Sequence, residues 1–132
     1  MAGFTITNLK EVESSAPEAT ADRLEARFGR KHLDSEHLGV SYFRYAPGFR
    51  VPYGHRHREQ EEAYVVVAGS GRIRLDDEVV ELRQWDVVRV APEVVRAFAA
   101  GPDGLEVVAV GGPKPEGGDG EAVPVEWPDA GG

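Results

Sequence analysis

The residues with the most chemical potential in this chain are two histidines in Gly54-His55-Arg56-His57, followed by a carboxylate pair at Glu61-Glu62. Alternate side chains of an extended backbone share a face, so His55 and His57 can point one way while Arg56 points the other. If Glu62 opens the next antiparallel strand, the turn through Arg58 to Glu61 returns its carboxylate to the two rings. Two imidazoles and one carboxylate form a donor set suited to iron, manganese, nickel or zinc. The chain has no cysteine, so a metal here would need nitrogen and oxygen ligands, and no disulfide or thiolate chemistry is available.

Short strands must position these groups. From Gly39 onward apolar residues recur with period two, in runs Val40 to Tyr45, Glu62 to Ala68, Arg72 to Leu75, Val79 to Leu82, Val87 to Val90, Val94 to Ala99 and Leu105 to Val110. Pro47-Gly48, Gly69-Ser70-Gly71, Asp76-Asp77 and Pro102-Asp103-Gly104 lie between them as chain reversals. No helical run separates these strands, which predicts an antiparallel sheet. Ahead of them, Phe4 to Thr7 alternates like a short strand. Ser15, Pro17 and Glu18 resemble a helix start, while Ala21, Leu24 and Phe28 at helical spacing predict a helix over Ala16 to Phe28. Past Val110, Pro113, Pro115, Gly117, Gly118 and Gly120 read as a linker leading to Trp127. The expected division is an N-terminal strand and helix over residues 1–38, a barrel over 39–111 and a tail over 112–132.

The segment Gly48 to Glu62, with Gly69 after it, resembles the first cupin motif: a glycine, about five residues, His-x-His, about three or four residues, Glu, about six residues and a second glycine. The Glu62 to Gly69 spacing matches, which prefers Glu62 over Glu61. Gly48 stands one residue further from His55 than usual. A second motif aligns with Trp85 to Ala100 but is eroded: Trp85, Ala91, Glu93, Arg96 and Ala100 replace the family's Gly, Pro, Gly, His and Asn, while Pro92 and Phe98 preserve some local character. The resemblance implies an all-β, double-stranded β-helix barrel with a short N-terminal helix, a homodimer, and a metal at His55, His57 and Glu62. It places Arg96 where the fourth ligand stands.

Arg96 cannot ligate a metal, because a guanidinium offers no lone pair. At about 4 Å and an effective dielectric near 20, its charge opposes each unit of metal charge by roughly 4 kcal/mol. Two occupants are therefore open, a divalent metal or Arg96 itself paired with Glu62. Two functions follow: a metal-dependent enzyme of oxygenase or isomerase type acting on a small, anionic organic molecule, or a metal-free small-molecule binder. Arg96, Tyr64, Phe98 and Tyr53 are the candidate ligand-binding residues, with Tyr64 read as a pocket wall; no nucleotide cofactor is expected. His32 and His37 read as solvated loop residues, and Arg72 and Arg74 as an outer face. The net charge of -8 disfavours nucleic acid and anionic membranes, and Met1 to Lys10 lacks the basic start and apolar centre of a secretory signal, so a cytoplasmic protein is expected.

Overall fold

The computed structural model describes residues 3–128. Eight strands form one curled antiparallel sheet: β1 (Leu24–Phe28), β2 (Gly39–Tyr45), β3 (Tyr53–Arg56), β4 (Glu62–Leu75), β5 (Glu78–Leu82), β6 (Val87–Val90), β7 (Arg96–Gly111) and β8 (Glu121–Pro124). β7 is the hub, pairing with β2, β3 and β4, while β4 also pairs with β5 and β6. Inward residues of these strands, among them Tyr45, Tyr64, Val66, Ile73, Phe98, Leu105 and Val107, form the buried core. Among the described residues no helix is long and apolar enough to cross a membrane.

β4 and β7 are long because two expected reversals are not reversals. Gly69-Ser70-Gly71 and Pro102-Asp103-Gly104 lie within the strands, where the β4–β7 register shifts and the ladder continues on either side. Gly69 and Gly104 have φ of 73° and 84°, and a Cβ at Gly69 would lie 2.0 Å from the Gly104 carbonyl oxygen. Side-chain-free positions let the backbones cross closely and bend the sheet without ending it.

The N-terminal expectations need correction. Residues Glu18–Thr20 make a single 3-10 turn after Pro17, and Leu24 to Phe28 is strand β1 rather than the end of a helix. β1 pairs with β2 from Leu24 opposite Tyr45 to Phe28 opposite Ser41, burying Leu24 and Ala26 on one face. Ser15 donates its backbone N–H to Ala26 O instead of capping a helix. The sheet's offer of ladder bonds and core contacts overrides a helical spacing that the sequence also satisfies. The α-helix in this region is the short α1, Arg30–Leu33. No strand is assigned over Phe4 to Thr7, and Phe4 and Ile6 are exposed.

The segment read as a linker is largely folded onto the barrel. β8 pairs with β3, and Trp127 packs on Ala97 and Ala99 of β7 while its indole N–H donates to Val51 O at 2.9 Å. β7 is thus covered on both faces at this end, with Arg96 and Phe98 inward and small Ala97 and Ala99 under the indole.

Trp85 has φ of 75° and is 67% exposed. Its N–H donates to Val66 O, fixing the turn against β4. An L-residue pays about 1–2 kcal/mol for this conformation, which glycine adopts freely at a smaller entropic cost. Trp85→Gly is therefore expected to raise unfolding stability by about 1 kcal/mol in urea titration; a loss of stability would show that the indole has a packing role.

Candidate functional site

His55 lies on β3 directly opposite Arg96 of β7, and directly paired residues of an antiparallel ladder project to the same face. β4 enters from the other side with Glu62 opposite Gly111 and Tyr64 opposite Ala109, small partners that leave the space inside the sheet to the longer side chains. His57 follows β3, and its backbone N–H donates to Pro92 O at 2.7 Å. The sequence spacing and the fold thus bring His55, His57, Glu62, Tyr64 and Arg96 to one place.

One oxygen is the meeting point. Glu62 Oε1 lies 3.3 Å from His55 Nε2, 3.2 Å from His57 Nε2 and 3.8 Å from Arg96 Nη2, and it accepts the Tyr64 hydroxyl at 2.5 Å. The Tyr64 oxygen also lies 3.3 Å from His55 Nε2. One donor atom each from His55, His57 and Glu62 fall within 4.8 Å of one another, so this group could hold a metal ion. His57 Nε2 is buried and, although close to Glu62, makes no hydrogen bond of acceptable geometry. A buried nitrogen aimed at a carboxylate without a bond fits a donor pair that a cation would bridge.

Burial pushes the Glu62 carboxyl pKa up, but the His55 ring, the His57 ring 3.2 Å away and the Tyr64 hydroxyl outweigh it and hold the group well below the usual range. The Glu62 carboxylate raises the His57 pKa, burial opposes the rise, and Asp119 adds to it. Burial and the Glu62 charge push the Tyr64 phenol well above its ordinary value, so it remains a donor. Tyr64 is therefore more than the pocket wall expected from its position: its hydroxyl orients the carboxylate.

Arg96 points inward and is 0% exposed. It does not form a two-pronged pair with Glu62. Nη1 donates to His55 O at 3.3 Å and Pro92 O at 3.2 Å, and Nη2 to Ala91 O at 3.3 Å, while Nε has no partner. The guanidinium binds the loop before β7 to β3, and its charge faces Glu62 from the side.

Asp119 was not legible as a site residue. Its side chain is 0% exposed; Oδ1 lies 2.8 Å from His57 Nδ1, and Oδ2 accepts the backbone N–H groups of Arg58, Glu59 and Gln60 at 3.0, 2.7 and 3.0 Å. Burial pushes its pKa up, yet the Glu59 N–H, the His57 ring and the Gln60 N–H hold it far below the ordinary carboxylate range. The only cue in the sequence is an acid set among glycines, in Gly117-Gly118-Asp119-Gly120.

A cavity of about 780 Å³ reaches these groups, lined also by Tyr53, Phe98, Tyr45, Phe43 and Phe28. Successive ring contacts join Phe28, Phe43, Tyr45, Phe98 and Tyr64 with centroids 5.1–6.4 Å apart, an aromatic wall running to the Glu62 carboxylate. The His55 side chain, 41% exposed, is the open side of the site. His32 also lines the cavity from α1, whereas His37 is an exposed loop residue, 72% exposed at its side chain.

The fold is shared with solved proteins. A cupin protein from Bacteroides fragilis superposes with a TM-score of 0.70 at 23% identity over 86% of each chain. A Streptomyces protein solved with uridine gives 0.72 at 16% identity over 92% of each. The DMSP lyase DddQ from Ruegeria pomeroyi gives 0.68 at 16% identity, over 91% of this chain and 60% of its own. No curated protein matches significantly in sequence. The family model for the cupin domain matches residues 41–111, more than half of the chain and the span that carries β2 to β7; the protein belongs to the cupin family.

Proposed function

We propose that this cupin holds a divalent metal at His55, His57 and Glu62 and binds a small organic molecule in the adjoining cavity. The observation that carries the reading is the buried His57 Nε2, unbonded and 3.2 Å from Glu62 Oε1, with its other nitrogen tied to Asp119. A bound metal would supply Lewis acidity toward a polar group of the molecule. The chain's own residues do the rest: Tyr64 orients Glu62, and the aromatic wall receives an apolar or flat body. Arg96 favours an anionic group through its charge rather than through a direct fork, since its Nη atoms are engaged by backbone carbonyls. Oxygenase- or isomerase-type chemistry suits such a site; the neighbouring lyase and uridine-bound structure support only that this barrel shape accommodates small molecules.

A second reading has one observation in its favour: Arg96, fully buried and 3.8 Å from Glu62, is a built-in counter-ion. In that reading the barrel binds its ligand without a metal. Elemental analysis of protein purified without added metal separates the two, with His55→Ala as the control. Stoichiometric metal that is lost in the variant supports the metal centre. No uptake even after soaking in manganese, iron, nickel or zinc supports the metal-free binder.

A further inference from the structure

We infer that Asp119 is a positioning residue, which sets the proton on His57 Nδ1 and so presents the Nε2 lone pair to the site. The argument starts from valence. A neutral imidazole carries one N–H, and its place is decided by what each nitrogen faces. His57 Nδ1 faces Asp119 Oδ1 in a hydrogen bond of 2.8 Å, an acceptor with no proton to give, whereas Nε2 faces Glu62 Oε1 at 3.2 Å without the alignment of a hydrogen bond. The carboxylate is fixed in turn, because three consecutive backbone N–H groups, of Arg58, Glu59 and Gln60, converge on its other oxygen.

Those N–H groups belong to the turn between the two halves of the site, with His57 before it and Glu62 after it. Asp119 therefore sets two things at once, the state of the ring and the shape of the turn that aims Glu62. Gly117 and Gly118, with φ of 82° and 81°, give the backbone ahead of it conformations open to few other residues. β8, paired residue by residue with β3, anchors the backbone after it. The C-terminal segment is thus part of the site rather than an appendage.

Asp119→Asn tests this in a specific way. The amide has one acceptor oxygen, which the three backbone N–H groups claim, so its NH2 turns to His57 and donates to Nδ1. The ring proton must then move to Nε2, the wrong nitrogen for a ligand. Ring-nitrogen NMR shifts in metal-free protein in alkaline buffer are expected to show Nδ1–H in the native chain and Nε2–H in the variant. Affinity for zinc or manganese alone should fall about 10–100-fold.

A purely structural contact would change stability and leave the ring proton in place. A folded variant with an unchanged ring overturns the inference, as does a native ring protonated on Nε2, a measurement that decides the matter even if the variant does not fold. The affinity arm rests on the proposed metal site. Native protein that takes up no metal while its ring inverts in the variant would reject that reading and leave the positioning role standing.

Discussion

Arg96→Met is expected to destabilise the metal-free protein by about 3–5 kcal/mol, the usual penalty for removing one partner of a buried charged arrangement. Arg96 is wholly inside the barrel, and three carbonyls, of His55, Ala91 and Pro92, accept its N–H groups. Methionine fills much of the volume but leaves those carbonyls without their donors and removes a cation 3.8 Å from Glu62. The same change should strengthen metal binding, because a positive charge near the metal position disappears. At about 4 Å and an effective dielectric near 20, each unit of metal charge gains roughly 4 kcal/mol, so at least about a hundredfold in affinity is expected. Arg96→His should raise it further by adding a donor. Urea unfolding in chelator and zinc titration measure the two arms. A small stability change with unaltered affinity would place the guanidinium charge away from the site.

Metal-free and zinc-loaded protein should show opposite pH slopes of stability above about pH 6.5, the ordinary histidine value. His57 has a raised pKa in the fold, so its contribution is complete below its ordinary value of 6.5 and is lost as pH rises through the folded value. Glu62 and Asp119 are depressed from 4.5 and 3.8, so their contributions are complete above those values and decline as pH falls. Metal-free protein should therefore be most stable between about pH 4.5 and 6.5 with respect to these three groups, losing at most about 1.4 kcal/mol per pH unit for each proton released above that window. A metal on His57 requires the same proton to leave Nε2, so zinc-loaded protein should gain stability as pH rises through this range. Parallel slopes would mean that His57 does not ligate.

Much of the barrel is legible in the sequence because each strand buries one face, and burial of one face writes period two into the residues. The His-x-His spacing and its distance from Glu62 are legible for the same reason: a strand fixes which side chains share a side. Leu24 to Phe28 fits both periods over so short a stretch that only the partner strand β2 decides it. The bulges at Gly69 and Gly104 look like turns because both use the same backbone conformation; what differs is the strand alongside. Arg96 is legible as inward, but its carbonyl partners come from a loop whose path no local pattern states. Asp119 is hidden because its meaning depends on contacts about sixty residues away along the chain, at His57 and the turn after it.

Crystallographic anomalous scattering from zinc- or manganese-soaked protein tests the metal centre most directly. The expected result is a single strong peak about 2.0–2.2 Å from His55 Nε2, His57 Nε2 and a Glu62 oxygen, with Arg96 still held by its loop carbonyls. No peak among these atoms, with the guanidinium instead closed onto the Glu62 carboxylate in a two-pronged pair, would contradict it.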